Sequence, residues 1–383
     1  MKVIYLDHAA TAFPRHPAVS DAMVGALAVA GNVGRGGHRG ASAASTIVSD
    51  CRERLAGLLG APDPERMLLF PSATTALNTV IESFARSSPS GRVAIGPLEH
   101  NAVTRPVWRR FGSARTVVLP ALADGRIDLD ALEGIDSENW VAVIVQHASN
   151  VSGVVQPIEE IGTWCAERRL PFVVDGAQAA GLVPLRLDEI PALCAYTAAG
   201  HKFLGGPPGV GVAYFATRFR PEPLWVGGTG VRSADREAPE DGPPRYESGT
   251  PNLPGIAGLG AALKATEGID RVERWRESQG MRRAWVERLR RIAGVEVVAD
   301  SEEGERTPVI SFRVDGATPS EVAAELESRA GIRARAGLHC APAAHEFYGT
   351  ADVGTIRFAP DVTTSDEERD IAMRTLSEII ESR

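Results

Sequence analysis

The 383-residue chain is 44% hydrophobic and 23% charged, ordinary globular values, and is long enough that two domains are the default expectation. Its net charge of −8 argues against nucleic acid or an anionic membrane as the main partner, because both require a basic face. The four cysteines (Cys51, Cys165, Cys194 and Cys340) show no CxxC spacing, so neither a metal site nor a disulfide framework is indicated, and reduced thiols in the cytoplasm fit best.

Met1–Pro14 read as an arm, with strand-like Val3–Leu6 followed by Asp7-His8-Ala9-Ala10-Thr11. The apolar run before Asp7 is too short for a signal-peptide core, and no later run approaches a membrane span. Pro17–Ala30 is alanine-rich with proline in its first turn, which predicts a helix. Gly31–Gly40 is a glycine-rich loop carrying His38, and the spacing of Ile47, Val48, Cys51, Leu55, Leu58 and Leu59 predicts another helix. Alternating units follow: strand Met67–Phe70, a helix from Thr74, strands Val93–Gly96, Thr116–Leu119 and Val141–Gln146, helix Ile158–Arg168, and strand Phe172–Asp175. The continuous apolar runs near Val141 and Val173 are those of parallel strands covered on both faces. Such a domain places ligands beyond the carboxyl ends of its strands. Pro221–Gly255 is proline, glycine and charge without periodicity, and reads as a long functional loop. A long helix over Ile256–Arg291 leads into an α+β unit: strands Val295–Val298 and Val309–Val314, helix Pro319–Ser328, loop Arg333–Ala344, strand Gly354–Ala359 and a helix from Thr364. The expected architecture is α/β: a large domain over residues 15–255 with a mostly parallel mixed sheet, and a small α+β domain formed by 1–14 and 256–383.

Lysine occurs only at positions 2, 202 and 264; arginine supplies every other cation. Lys202 stands in Ala-Ala-Gly-His-Lys-Phe-Leu-Gly-Gly, and an arginine there could not form an imine, because guanidinium is never deprotonated in a protein. A Schiff-base lysine is the corresponding functional reading. Asp175 ends the run Phe172-Val173-Val174, where a carboxylate stays ionised only beside a cation such as a protonated pyridine nitrogen. It precedes Lys202 by 27 positions, enough for one connection and the next strand. Pro71-Ser72-Ala73-Thr74 follows a strand and opens a helix, an anion site suited to phosphate. His100, in Pro-Leu-Glu-His-Asn, is a candidate to stack on an aromatic cofactor.

Taken together and in order, Leu6-Asp7-His8-Ala9-Ala10-Thr11, Asp175-Gly-Ala-Gln178, Gly200-His201-Lys202, Arg335-Ala-Gly-Leu-His339-Cys340 and Ile356-Arg357-Phe358 resemble the class V aminotransferase group of fold-type I pyridoxal-phosphate enzymes, and within it the cysteine desulfurases. The resemblance implies pyridoxal 5'-phosphate bound covalently at Lys202, with Asp175 on the ring nitrogen, Gln178 on the phenolic oxygen and His100 stacked on the ring. Ala73, Thr74 and His201 would hold the phosphate, with Thr250 reaching it from the second subunit of a homodimer. Asn150 and Arg357 would grip the carboxylate of L-cysteine, an arrangement to which arginine is suited. His38 corresponds to an active-site histidine. Cys340 would take up sulfur as a persulfide, leaving alanine. The short Arg-Ala-Gly-Leu-His-Cys-Ala-Pro context further implies a separate sulfur-acceptor protein. Two positions depart from the pattern: Ala199 stands where a phosphate-binding Ser or Thr is usual, and Leu338 replaces a commonly polar residue. The same group also contains C–S lyases, selenocysteine lyases, epimerases and aminotransferases. Cys51, Cys165 and Cys194 read as structural.

Overall fold

The computed structural model describes residues 3–34, 36–232, 234–301 and 303–383; Lys2 and Arg35 of the glycine-rich loop lie outside the described residues. In chain order the strands are β1 (Ile4–Tyr5), β2 (Met67–Phe70), β3 (Arg92–Ile95), β4 (Thr116–Val118), β5 (Trp140–Gln146), β6 (Phe172–Asp175), β7 (Leu193–Ala199), β8 (Gly211–Phe215), β9 (Val295–Val297), β10 (Ile310–Val314), β11 (Ile332–Arg333), β12 (Arg335–Gly337) and β13 (Thr355–Phe358). Among the described residues, seven of them form one sheet in the order β2-β8-β7-β6-β5-β3-β4. Only β8 runs against its neighbours; the pairs β7-β6, β6-β5, β5-β3 and β3-β4 are parallel. Both faces are covered. Val143, Val145, Phe172 and Val174 belong to the core beneath the helices Arg39–Leu59 and Ile158–Glu167, and Ile144 and Val173 belong to the core under Ala73–Ser87 and Asn101–Phe111. This two-sided burial is why β5 and β6 show no hydrophobic alternation. Cys51, Cys165 and Cys194 are sealed in these cores, as the sequence reading expects, and burial pushes the first two thiols up to about 12.

A second, four-stranded antiparallel sheet, β12-β13-β10-β9, packs Ile310, Phe312 and Phe358 against Trp285, Leu326 and Leu376 from helices Arg271–Arg290, Pro319–Ala330 and Asp366–Glu381. Thr318 and Ser365 start the last two helices with full capping boxes to Glu321 and Glu368. The N-terminal arm joins this unit: β1 pairs with β11, and Ile4 and Leu6 enter its core.

Several elements differ from the sequence reading: it sets no bounds for a strand at β7, β8 or β11, and β12 lies inside the expected loop Arg333–Ala344. Asn101–Phe111 is a helix, capped by the ring of His100, whose Nδ1 accepts from Ala102 N at 3.0 Å. The expected long helix over Ile256–Arg291 is two helices, Leu253–Ala265 and Arg271–Arg290, separated by a turn in which Gly268 has φ +81°. The loop after β8, read as a long functional loop, holds the short helix Pro243–Tyr246 and is anchored to the sheet. Arg52 forks onto Glu247 (2.8 and 2.6 Å), and Glu247 also accepts from Leu69 N at 2.7 Å. Arg52→Ala leaves that carboxylate without its cation and should cost about 3 kcal/mol of stability, read from chemical unfolding. A loss under about 1 kcal/mol, the figure for an exposed pair, would show that Glu247 finds other solvation.

Candidate active site

The carboxyl ends of β2, β3, β5, β6 and β7 emerge on one edge of the large sheet, and the segments leaving them line a cavity of about 200 Å³. From β2 come Ala73 and Thr74 at the start of helix Ala73–Ser87. From β3 comes His100, from β5 Asn150, from β6 Asp175 and Gln178, and from β7 Ala199, His201 and Lys202. The second sheet closes the cavity with Arg335, His339 and Arg357. The chain thus gathers ten expected site residues (Lys202, His100, Asp175, Gln178, Ala73, Thr74, His201, Asn150, Arg357 and the departure Ala199) around one space, although they span positions 73 to 357. His38, Thr250 and Cys340 are not among its walls, although Arg335, which meets the Cys340 sulfur, is. His38 is exposed and caps helix Arg39–Leu59, and Thr250 is exposed beyond the anchored loop.

Asp175 is buried at the end of β6, where Oδ1 accepts from Ala177 N at 3.0 Å. Gly176 makes that turn possible, since a Cβ there would meet the Tyr196 ring at 2.0 Å. Burial pushes the Asp175 carboxyl upward, and Lys202 opposes the shift. The converse holds for Lys202. Burial lowers its ammonium to about 8, Asp175 raises it, and Arg357 and Arg335 lower it further. The amine is therefore neutral above about pH 8, as an imine-forming lysine must be.

The histidines of the site are neutral. Burial, with Lys202 next, lowers both His100 and His201 to about 4. Because Nδ1 of His100 accepts a backbone bond, its proton sits on Nε2. His201 Nδ1 lies 3.2 Å from Thr11 Oγ1. His339 is lowered further, to about 2, by burial and Arg357, and its Nε2 meets Thr355 Oγ1 at 2.9 Å. His339 adds no charge, and Arg333 is drawn to Glu327 at 3.4 Å. Arg335 alone among these cations meets the sulfur: its Nη2 lies 3.6 Å from Cys340 Sγ. Cys340 is exposed, unlike the other three cysteines. Its loop carries left-handed backbone at both His339 (φ +48°) and Cys340 (φ +58°), which side-chain-bearing residues adopt only when the surroundings hold them there. The hold is visible: Asn101 N donates to Cys340 O at 2.8 Å, and Asn150 Nδ2 donates to His339 O at 2.7 Å.

Several functional residues escaped the sequence reading. Asp7 fixes Arg357, accepting from Nη2 at 2.5 Å, while Nη1 donates to Asn150 O at 3.1 Å. Ser72 caps the cavity helix through Thr75 N. Glu99 is fully buried beside the site; its Oε1 accepts from Gln146 N at 2.7 Å, and burial, reinforced by Asp175, drives its carboxyl well above the usual range. A glutamate directly before His100 is visible in the sequence, but its burial is not. Thr197 supplies no substitute for the hydroxyl missing at Ala199. Its Oγ1 is buried without a partner, and it does not line the cavity.

Gln178 Oε1, Asn150 Oδ1 and Arg357 Nε are buried without partners although their residues line the cavity. An acceptor, a further acceptor and a cationic donor left over around a space containing a neutral amine fit a polar aromatic cofactor together with an amino-acid substrate.

The class V aminotransferase family model matches residues 4–370. A probable cysteine desulfurase of Methanothermobacter thermautotrophicus is 30% identical over 98% of this chain and 94% of its own length. One from Vibrio cholerae is 30% identical over 96% and 91%. Among solved structures, the apo cysteine desulfurase of Thermococcus onnurineus superposes with a TM-score of 0.91 at 29% identity, covering 100% of this chain and 95% of that one. The S-sulfonic acid form of the Escherichia coli cysteine desulfurase CsdA gives 0.87 at 26% identity, covering 99% and 94%.

The lowered lysine makes a pH prediction. When apoprotein is mixed with pyridoxal phosphate, the rate of yellow colour formation should rise with pH and level off above about 8, where Lys202 has lost its proton. A rate still climbing towards pH 10.5 would mean an unperturbed lysine.

Proposed function

The chain belongs to the class V aminotransferase family, and from that premise we propose that it is a cysteine desulfurase, converting L-cysteine to L-alanine with transfer of sulfur to Cys340. The observation that carries this reading is the position of one thiol. Of four free cysteines only Cys340 is exposed, and its sulfur lies 3.6 Å from the guanidinium of Arg335, which lines the same cavity as Lys202.

The residues present fit pyridoxal 5'-phosphate. Lys202 would hold it covalently, Asp175 would face its ring nitrogen, Gln178 its phenolic oxygen and His100 its ring face. Backbone N–H groups at Ala73 and Thr74, with His201, would take the phosphate. Bound there, the cofactor supplies an electron sink that allows the α-proton of an amino acid to leave. Everything else falls to the chain. Arg357, held on one side by Asp7 and Asn150 O, keeps a buried Nε–H free for a carboxylate, and Asn150 supports it. Lys202, neutral at mildly alkaline pH, takes and returns the α-proton. Cys340 Sγ attacks the substrate sulfur. An S–S bond forms as the C–S bond breaks, its electron pair passes to the substrate carbon, and a proton delivered there replaces the one the thiol gives up, leaving a persulfide and alanine.

Three expected residues, His38, Thr250 and Cys340, do not line the cavity, and a homodimer would account for Thr250. It would reach the phosphate from the second copy, and His38 would act in the substrate path. The exposed Cys340 loop suits release of sulfur to an acceptor protein, and free cysteines suit the cytoplasm; among the described residues no helix is long and apolar enough to cross a membrane.

The test is product analysis. Purified protein given L-cysteine should yield alanine and a Cys340 gaining one sulfur by mass, and Cys340→Ala should lower alanine formation about 10³-fold while staying yellow. Pyruvate and ammonia would instead assign a C–S lyase. A second prediction concerns the cavity wall. Ala199→Ser adds a hydroxyl where the family pattern has one, and should tighten pyridoxal-phosphate binding about tenfold, as a charge-assisted bond would. Unchanged affinity in a spectroscopic titration would count against Ala199 as a phosphate-facing position.

A further inference from the structure

A second cluster of cations lies away from the catalytic cavity, where helix Arg271–Arg290 meets the segment Asp300–Arg306. Gln279, Arg282 and Arg290 present one side of the helix at steps of three and eight residues, and Arg306 faces them across a cavity of about 270 Å³. Arg282 is 7% exposed and Arg306 is 2% exposed. Each has a buried N–H group with no acceptor among the described residues, Nε of Arg282 and Nη1 of Arg306.

Two of the acids nearby, Asp300 and Asp124, are already engaged. Asp300 forks onto Arg290 at 2.8 and 2.6 Å. Asp124 is shared between Arg126 Nε (2.7 Å) and Arg306 Nη2 (3.2 Å). The remaining bonds of Arg306 go to neutral carbonyls, from Nε to Ser301 O and from Nη2 to Glu303 O, both at 3.3 Å. Gln279 holds the Arg306 backbone, its Nε2 donating to Arg306 O at 2.6 Å, so the guanidinium is carried on a fixed frame. Arg282 has no carboxylate within ion-pair distance among the described residues. Among those lining the cavity, four arginines (Arg282, Arg283, Arg290, Arg306) face two acids (Glu287, Asp300). Two buried like charges with missing acceptors are costly unless an anion completes them. Burial and the neighbouring Arg306 lower Arg282 to about 9, the direction expected of a guanidinium held beside its like.

We propose that this cavity is a binding site for a phosphate or sulfate group, held by Arg282 and Arg306. Planar guanidinium forks match the oxygens of a tetrahedral oxyanion, and a dianion would complete Arg282, which has no carboxylate partner among the described residues, together with the open Nη1 of Arg306. The site is built from groups on rigid elements, and it lies one bridge from the catalytic edge, because Arg306 pairs with Val154 and Thr307 N donates to Gly153 O at 2.7 Å.

The experiment is calorimetric titration of the cofactor-loaded protein, whose own phosphate subsite is then filled, with inorganic phosphate against sodium chloride at matched ionic strength. Saturable binding of one phosphate per chain is expected, weakened at least tenfold in Arg282→Met and less in Arg282→Lys. Glycerol phosphate as a second probe separates the sources: tighter binding than inorganic phosphate assigns a phosphomonoester, and equal or weaker binding assigns the free ion. Absence of saturable binding, or equal binding by Arg282→Met, would overturn the proposal. Should Arg282→Met fail to fold, tungstate soaked into crystals of the unaltered protein must give an anomalous peak between Arg282 and Arg306, and a map without it refutes the site. None of these readouts depends on turnover of L-cysteine, so the catalytic reading can fail while this one stands.

Discussion

The site depends on keeping charge out of water at one edge of a sheet. Asp175, Lys202, Glu99 and Arg357 are ionisable groups withdrawn from solvent within a few strands of one another. In isolation each would be costly to bury. Coulombic coupling and fixed backbone donors offset the cost unequally, and the inequality produces the chemistry. Lys202 gives up its proton near pH 8, burial biases Glu99 towards its protonated form, and Arg357 stays charged against Asp7. The parallel sheet makes this possible, because five strand ends converge on one place and supply main-chain partners at each.

The N-terminal arm is the other half of the device. Its strand β1 and Leu6 belong to the second core, yet the next residues run across the mouth of the large sheet. Asp7 takes Arg357, Ala9 O accepts from Gln178 Nε2 at 3.0 Å, and Thr11 Oγ1 donates to His201 O at 3.1 Å. Arg15 Nε then donates to Gly206 O at 3.0 Å, beyond the lysine turn. One short segment therefore orients a proposed substrate arginine, a cofactor-facing amide and the residue before the lysine. Displacing the arm would release all three at once, so its sequence is constrained by contacts from position 178 to 357 rather than by its own secondary structure.

Much of this was legible beforehand, for definable reasons. Buried parallel strands announce themselves as unbroken apolar runs, and β5 and β6 fall within a residue of where the pattern places them. Lys202 stood out because the chain otherwise uses arginine. What stayed hidden was non-local. The helix Asn101–Phe111 contains Pro106 and begins with a histidine cap, so neither its cap nor its interior follows the commonest helix rules. The break at Gly268 leaves helical spacing on both sides and so reads as continuous. Asp7 lies 350 positions from Arg357, and no local pattern reports that pairing. The sign of a group was harder still. His339 beside a cysteine suggests positive charge from sequence, whereas burial among arginines removes it.

That reversal bears on how the sulfur is handled. With His339 neutral and tied to Thr355, the loop offers Cys340 a single cation, Arg335, and a backbone strained at two consecutive residues. Two bonds to the carbonyls of His339 and Cys340 hold that strain, and both come from segments that also supply the cavity, Asn150 and the residue after His100. The position of the thiol is therefore coupled to the walls that would grip substrate and cofactor. Leu338, turned to solvent at 40% exposure, takes no part in this hold. A polar residue at 338 could touch an approaching acceptor, but it would not reset the sulfur. Cys340 is held from within the site, by Arg335 and by the donors Asn101 N and Asn150 Nδ2, and the surface of the loop takes no part in that hold.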